Sequence, residues 1–494
     1  MKLKVRDIDI STGGVLVVAV NEHDARKIDL HHLDRVKIRR GSREETAVVD
    51  IAYGRKTVPD GHIGAFEEVI SSLRLRNGET VQLIPARKPL SLQFIRKKLD
   101  GLTLTRKEIE QIVWDIVHNK LSNIELTYFV AACYTNAMST QETVMLAKAI
   151  AEQGDILSFG KRKVLDKHCI GGVPGNRTTL VLVPILAAAG FLFPKTSSRS
   201  ITSPAGTADT MEVLCPVSFP IPKLRSVVRK VGACMVWGGA LNLAPADDKI
   251  IQVEKPLAID AESQLIASIM AKKYSAGSTH ILLDIPISAG GKIRSRAAAE
   301  KLKKKFLLIG KALGKKVDVY ISDGSQPIGN GIGPCLEARD VLKIFRRDAD
   351  RPMDLEEKCL DMADRLFALA GVAGGRKRAK RILDSGKAYV KFREIIKAQG
   401  GKPTITPDNI AVGRYTHTYH AKKSGKVAAI SNEEISRIAR IAGAPADKGA
   451  GMYLYHHVGC RVKEGDKLFT LYAQAKHKLA YAVEMISEDC VEVR

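Results

Sequence analysis

The sequence predicts an α/β protein: a helical lobe plus a mixed, mostly parallel α/β lobe, with a β-rich small barrel at the N-terminus and an α+β domain at the C-terminus. Three observations carry this reading. Short β-branched runs fill the first 85 residues, helical spacing with short loops follows, and from about residue 160 strands and helices alternate. Alternation points to a parallel sheet, because parallel neighbours need a crossover connection between them.

The expected domains are 1–85, 91–160, 161–400 and 408–494, with the helical lobe completed by a later segment at about 215–265. In the first, "GGVLVVAV", "RVKIRR", "TAVVDIAY" and "TVQLIPA" are separated by Gly, Asp and Asn and fit a small barrel or sandwich. "PARKPL", ending at Leu90, reads as a linker. "LQFIRKKLDG" ends on a glycine stop signal, and "TRKEIEQIVWDIVHNKLS" opens with Thr105 and Glu108 at capping-box spacing. "IELTYFVAACYTNAM" and "TQETVMLAKAIAEQG" extend the helical lobe. Beyond it, "KVLDKHCIGG" reads as a strand and glycine turn, and "TTLVLVPILAAAGF" as an apolar helix. "HILLDIPI" and "KVDVYISD" read as buried strands around the amphipathic helix "RAAAEKLKKKFLLIGKALG". The last domain sets a helix, "NEEISRIARIAG", among strand-like runs.

Composition narrows the function. Against 54 acidic residues stand 78 Lys and Arg, a net charge of +24, which favours an anionic partner: nucleic acid, acidic lipid or a phosphorylated small molecule. An aromatic content of 5% and the lack of recognition motifs weaken the nucleic-acid reading. No apolar run is long enough for a membrane span. The densest basic run, "GRKRAKR" at 375–381, reads as a solvated helix face. Eight cysteines include no CxxC pair, so no metal site is expected. The N-terminus is unlike a signal peptide, and a reducing cytoplasm is the expected compartment.

Two stretches could carry chemistry. "DKHCIGGVPGNRTT", 166–179, runs strand, glycine turn, helix. Gly171 and Gly172 allow close backbone approach, successive N–H groups can form an anion nest, and a helix N-terminus follows. Lys167 and His168 flank the turn, which is not a Walker A motif. "SSRSITSPAGTADTMEVL", 197–214, crowds Ser198, Ser200, Thr202 and Ser203 around Arg199. It then turns at Pro204 and Gly206, with Thr207 at an N-cap position ahead of Asp209 and Glu212. A capped helix explains Thr207 and Asp209. It leaves the hydroxyl density unexplained, and Arg199 can grip a phosphate bidentately.

Together these stretches resemble the signature of the thymidine and pyrimidine-nucleoside phosphorylase family. That pattern has Lys-His, a Gly-Gly turn, then Ser-x-Arg leading to Gly-Thr-x-Asp-x-x-Glu, matched by Gly206, Thr207, Asp209 and Glu212. The resemblance continues through "IASIMAKKYSAG" (266–277), "AGGK" ending at Lys292 and "QPIGNGIGPCLEARDVL" (326–342), and covers roughly residues 90–494. It implies a nucleoside phosphorylase/phosphoribosyltransferase-like fold, inorganic phosphate as co-substrate without a further cofactor, and a homodimer or larger homo-oligomer. Three departures resemble the branch of the family that acts on nucleoside 5′-monophosphates. "VEKPLAIDAES" lacks the Arg that reads a pyrimidine, "SSRSITSPAGT" replaces a Gly- and His-rich loop, and an N-terminal domain of about 85 residues is added.

The resemblance therefore implies phosphorolysis of AMP, and of CMP and UMP, to free base and ribose 1,5-bisphosphate in nucleotide salvage. It assigns Gly172, Ser198, Arg199, Ser200, Ile201, Thr202, Ser203, Thr207, Ser268 and Lys292 to the nucleotide. Lys167, Gly171 and Lys272 are assigned to the attacking phosphate, with Lys272 also matching a base-contacting Lys of the family. The leaving base needs a proton, and Asp260, in the departed base-reading segment, is the chosen donor. A helix N-cap is the bland alternative for Asp260. His168 is the rival donor, ranked second because Lys167 beside it disfavours its protonated form. The competing activities are a pyrimidine-nucleoside phosphorylase, a phosphoribosyltransferase, for which no Asp-rich metal motif is seen, and nucleic-acid binding.

Overall fold

A computed structural model describes the chain except Arg55, Ile201, Thr202, Lys255 and residues 257–260. Six strands close into a barrel at the N-terminus: β1 (Lys2–Asp7), β2 (Val17–Asn21), β3 (Arg35–Arg40), β4 (Arg43–Ala52), β5 (His62–Ala65) and β6 (Thr80–Pro85). Their order is β1-β5-β2-β4-β3-β6, and closure comes from β1, parallel to β5 and antiparallel to β6. Two short helices, α1 (Glu22–Lys27) and α2 (Glu67–Leu73), lie between strands. Leu3, Val5, Val18, Val20, Val36 and Ile38 fill the interior at the two-residue period of a pleated strand. The sequence runs anticipate β2, β3, β4 and β6 but miss the closing pair. β1 alternates Lys and Arg with only two apolar residues, and β5 is four residues long with a central glycine. A Cβ on Gly64 would lie 2.9 Å from the side chains of Ile8 and Val58, so this glycine marks close packing, not a turn.

The barrel shares one unit, Met1–Gly154 with Ala244–Ala271, with the helices α3 (Ser91–Leu99), α4 (Arg106–Val117), α5 (Asn123–Thr135) and α6 (Thr140–Glu152). Reciprocal capping boxes start α4, α5 and α6 at Thr105/Glu108, Ser122/Glu125 and Ser139/Glu142. Glu125 also holds Arg35 of β3.

The second unit, Asp155–Leu243 with Lys272–Arg494, contains the parallel sheet. Its first strands and helices are β7 (Leu165–Cys169), α7 (Thr178–Ala188), β8 (Phe193–Ser197), α8 (Thr207–Glu212), α9 (Ile221–Val231) and β9 (Ala233–Trp237). The chain then passes through α10 (Pro245–Glu254) and α11 (Glu262–Ser275) before β10 (His280–Ile287), α12 (Arg296–Ala312) and β11 (Lys316–Asp323). β11-β10-β7 and β8-β9 are parallel throughout, and a parallel bridge from Val164 to Leu192 joins the two groups. The segment grouped with the helical lobe is 244–271, not the expected 215–265. Residues 221–237 form α9 and β9, and β9 is hydrogen-bonded into the α/β sheet beside β8.

The remaining elements are β12 (Gly331–Ile332), α13 (Pro334–Arg346), α14 (Met353–Leu369), α15 (Gly375–Asp384), α16 (Lys387–Gln399), β13 (Tyr415–His420), β14 (Gly425–Ile430), α17 (Asn432–Ile441), β15 (Gly451–Leu454), β16 (Arg461–Val462), β17 (Lys467–Ala473), α18 (Lys476–Glu484) and β18 (Val491–Val493). The sheet β12-β15-β17-β13 crosses the expected boundary at about 400–408. Backbone meets backbone there: a Cβ on Gly333 would lie 2.4 Å from the Ala450 carbonyl oxygen. The basic run 375–381 lies within α15, where Arg376 pairs with Glu357 and Asp361, and Lys380 with Asp384. All eight cysteines are free thiols. No helix among the described residues is long and apolar enough to cross a membrane.

Candidate active site

In a parallel sheet, ligands bind beyond the carboxyl ends of the strands, where loops leave for the crossover helices. β7 ends there in the Gly171–Gly172 turn. Gly171 adopts φ +148°, and a Cβ on it would touch Pro286 Cγ at 3.0 Å. The Ile170 N–H donates to the Asp284 carbonyl of β10, which fixes the turn against the neighbouring strand. Gly175 closes the loop at φ +73°, and a Cβ on it would lie 2.1 Å from the Ile328 carbonyl oxygen. Gly175→Ala is expected to destabilise the fold by at least about 2 kcal/mol, from left-handed strain and overpacking together. Thermal melts of the variant check this.

β7 carries charge on both faces, because adjacent residues point opposite ways. On one side Asp166, almost wholly buried, accepts from Ser278 Oγ at 3.0 Å and pairs with Lys273 at 2.9 Å and Lys195 at 3.3 Å. Lys195 also donates to the Lys167 carbonyl at 2.7 Å. Burial opposes the Asp166 charge, but Lys195 and Lys273 outweigh it and hold its pKa low. Lys195 is pulled down by burial. His168, next on this face, is pushed well below its ordinary value by burial and by Lys273, Lys195, Lys272 and Lys167. Its imidazole is therefore neutral at neutral pH.

On the other side Lys167 is buried and donates to Thr178 Oγ1 at 2.8 Å, at the first residue of α7. Its ammonium lies 3.9 Å from Asp284, which pairs with Lys358 at 3.1 Å. Asn176 reaches from the turn to Cys169 Sγ at 3.4 Å. Each buried carboxylate thus faces two lysine side chains.

The loop after β8 is joined to this turn by Arg177. Its guanidinium donates to the Ala205 carbonyl at 2.6 Å and to Thr207 Oγ1 at 3.4 Å, and it pairs with buried Glu337 at 2.5 Å. A Cβ on Gly206 would lie 2.6 Å from Arg199 C and Ser200 N, so the loop can double back against the start of α8 only at a glycine. Asp209 staples the arrangement, accepting from Ser200 N at 2.7 Å and Gly206 N at 2.8 Å.

Arg199, the expected phosphate grip, is engaged by carboxylates of its own chain. Its guanidinium is held by Asp209 at 3.1 Å and, through both terminal nitrogens, by Glu212 at 2.8 and 2.7 Å, and it stacks on Trp237. The Glu212 hydrogen bonds raise the Arg199 pKa, and Arg199 holds Glu212 down at about 2. The hydroxyl density has a partly local cause too: Ser200 Oγ bonds the Ser203 carbonyl, and Ser203 Oγ the Ala205 carbonyl at 2.9 Å.

The structure thus places Lys167 in β7, Gly171 and Gly172 in the turn after it, Ser198, Arg199, Ser200 and Ser203 in the loop after β8, and Thr207 at the start of α8, with Arg177 linking the turn to that loop. Ser198 and Gly172 are exposed, and Lys272 is half-buried near the C-terminal end of α11. Lys292 is exposed in the turn after β10 and Ser268 is half-buried in the part of α11 that belongs to the first unit. Ile201, Thr202 and Asp260 lie outside the described residues. Sequence reasoning overlooked Arg177, Asp166, Lys195, Lys273, Asp284 and Lys358. The available signal was an Asp inside the apolar run "HILLDIPI", since a charge is buried in a strand only when it is paired.

Three family models match the chain: a glycosyl transferase family helical bundle domain at 92–154, a glycosyl transferase family a/b domain at 161–389 and a pyrimidine nucleoside phosphorylase C-terminal domain at 426–491. AMP phosphorylase of Thermococcus kodakarensis is 47% identical, and that of Thermococcus sibiricus 46% identical, over 98% of this chain and 96% of each relative. AMP phosphorylase of Methanococcoides burtonii is 43% identical over 99% of this chain and 96% of the relative. Among solved structures, anthranilate phosphoribosyltransferase from Thermus thermophilus aligns with a TM-score of 0.52 at 18% identity, over 62% of this chain and 98% of that one. It shares the fold.

Proposed function

The chain belongs to the AMP phosphorylase family, and we propose that it catalyses phosphorolysis of AMP. The C1′–N9 bond breaks, an oxygen of inorganic phosphate bonds to C1′, and the leaving adenine takes a proton; the products are adenine and ribose 1,5-bisphosphate. The observation that carries the chemistry is the buried charge around β7, where Asp166 and Asp284 face Lys195, Lys273, Lys167 and Lys358. Lys167, Lys273 and Lys358 against two carboxylates leave an excess of positive charge beside the Gly171–Gly172 turn, to which Lys195, its charge weakened by burial, adds in part. A bound phosphate dianion offsets that excess in a site of low dielectric.

In this reading Lys167 and Gly171 hold the attacking phosphate, with Lys272 contributing. The loop from Ser198 to Thr207, with Gly172, Ser268 and Lys292, holds the nucleotide. Arg199 serves as the clamp that shapes this loop, and Asp260 supplies the proton. CMP and UMP are further substrates, the assembly is a homodimer or larger, and the setting is cytoplasmic nucleotide salvage.

The test is incubation with phosphate and AMP, CMP, UMP, adenosine or thymidine in turn. Base release is followed by chromatography and the sugar product by 31P NMR. Phosphate-dependent adenine release from AMP, with two phosphorus resonances on one ribose, is expected. Faster turnover of thymidine than of AMP would overturn the reading.

A further inference from the structure

Asp284 has no solvent exposure and stands in the middle of β10, between two lysines from different elements. Lys358 of α14 pairs with its Oδ2 at 3.1 Å, a hydrogen-bonding distance. Lys167 of β7 stands 3.9 Å from the same oxygen, too far for a hydrogen bond, and donates instead to Thr178. Ser322 Oγ completes the clamp: it donates to Asp284 Oδ1 at 2.6 Å and accepts from Lys358 at 3.1 Å. Lys358 is buried on a helix face with Leu355, Cys359 and Met362, where an ammonium is costly unless it has a task.

We propose that Lys358 is a positioning residue for the phosphorolysis reaction: by occupying Asp284 it keeps the Lys167 ammonium directed to the attacking phosphate instead of to a buried carboxylate. The inference rests on the reading of the Lys167–Gly172 turn as the phosphate site. Burial works against charge on both members of the Lys358–Asp284 pair. Their mutual attraction outweighs it, raising the Lys358 pKa and lowering that of Asp284, with Lys167 adding to the latter. Without Lys358, an ionised buried Asp284 would be left with Lys167 as its cation. The pair would close, as breaking one arm of a buried triad requires. An incoming phosphate would then meet a neutralised lysine backed by a carboxylate.

The experiment measures steady-state kinetics with phosphate and AMP varied separately, on the full chain. Lys358→Met is expected to raise the phosphate KM at least about 10-fold while kcat at saturation and the AMP KM stay within about 3-fold. Adding Asp284→Asn, which removes the competing carboxylate, is expected to return the phosphate KM to within about 3-fold of wild type. A purely structural role for Lys358 predicts instead that the single variant loses thermal stability and that kcat and the AMP KM shift along with the phosphate KM. Lys167→Met distinguishes failure of the phosphate site from failure of the positioning role. If it leaves the phosphate KM unchanged, the reading of the turn as the phosphate site fails. If it raises the phosphate KM while Lys358→Met does not, the positioning role of Lys358 is overturned. Should Lys358→Met fail to fold by circular dichroism, the double variant, which carries no unpaired buried carboxylate, decides. A phosphate KM near wild type supports the proposal and a raised one overturns it.

Discussion

Asp260→Asn is expected to lower kcat for AMP phosphorolysis by about 10² to 10⁴, the range for loss of a general acid, with the AMP KM changed by less than about 3-fold. Asp260 lies outside the described residues; the chemistry of the leaving base and the state of its rival favour it. A purine leaves as an anion unless a ring nitrogen is protonated. The donor must still hold its proton near neutral pH. His168, beside the glycine turn, does not carry one there: burial and four lysines push its pKa well below 6.5. A neutral imidazole is a poor acid, and each lysine that helps to hold phosphate makes it poorer. A carboxyl group in the segment that replaces the family's pyrimidine-reading Arg is suited to the task once burial raises its pKa. The measurement is kcat for Asp260→Asn and His168→Asn side by side. A larger loss in the His168 variant, or Asp260→Asn turnover within about 5-fold of wild type, sinks the assignment.

The fold was legible where one physical signal dominated. Thr105/Glu108 announced α4 because a capping box has a fixed spacing and a local cause. "HILLDIPI" announced β10, since a long apolar run bounded by turns has few other homes; "KVDVYISD" announced β11 as a strand, but not as the buried one expected, because it lies at the edge of its sheet with most of its residues half-buried or exposed. β8 was illegible: "FPKTS" contains a Pro and a Lys, and its place in the sheet depends on Lys195 finding Asp166 across the strand gap. β1 was illegible for a related reason. Its partners β5 and β6 are distant in sequence, and only their pairing turns a mostly charged run into a barrel stave.

The site was legible by type and not by partner. The glycine turn and the Ser198–Thr207 loop were identifiable because their glycines and hydroxyls are unusual together. Which charge each residue serves was not. Arg199 looked free to grip a ligand, whereas the fold gives it to Glu212 and Asp209. Lys358 drew no reading from the sequence, and only the distance to Asp284 assigns it.

That redistribution makes the Arg199–Asp209 pair the sharpest test of how the nucleotide loop works. Asp209→Ala leaves the Ser200 and Gly206 amides without their acceptor and frees one side of the guanidinium. An orphaned buried donor costs about 1–3 kcal/mol, so the AMP KM is expected to rise roughly 10- to 100-fold. Arg199 is more than a third exposed, which discounts its ion pairs, and Arg199→Ala alone is expected to raise the AMP KM less than Asp209→Ala does. The phosphate KM should move little in either variant, because the Lys167 cluster does not use this staple. If both residues act only by shaping the loop, the double variant should be no worse than Asp209→Ala, with a coupling energy of about 1 kcal/mol in the cycle. A direct grip by Arg199 on the nucleotide phosphate predicts the opposite: the Arg199 loss exceeds the Asp209 loss, the two add, and AMP suffers far more than adenosine. Additive losses with that substrate dependence would return Arg199 to the role of phosphate ligand. Non-additive losses would place the specificity for a phosphorylated substrate in the backbone and hydroxyls of Ser198–Thr207, which Asp209 and Arg199 hold in place.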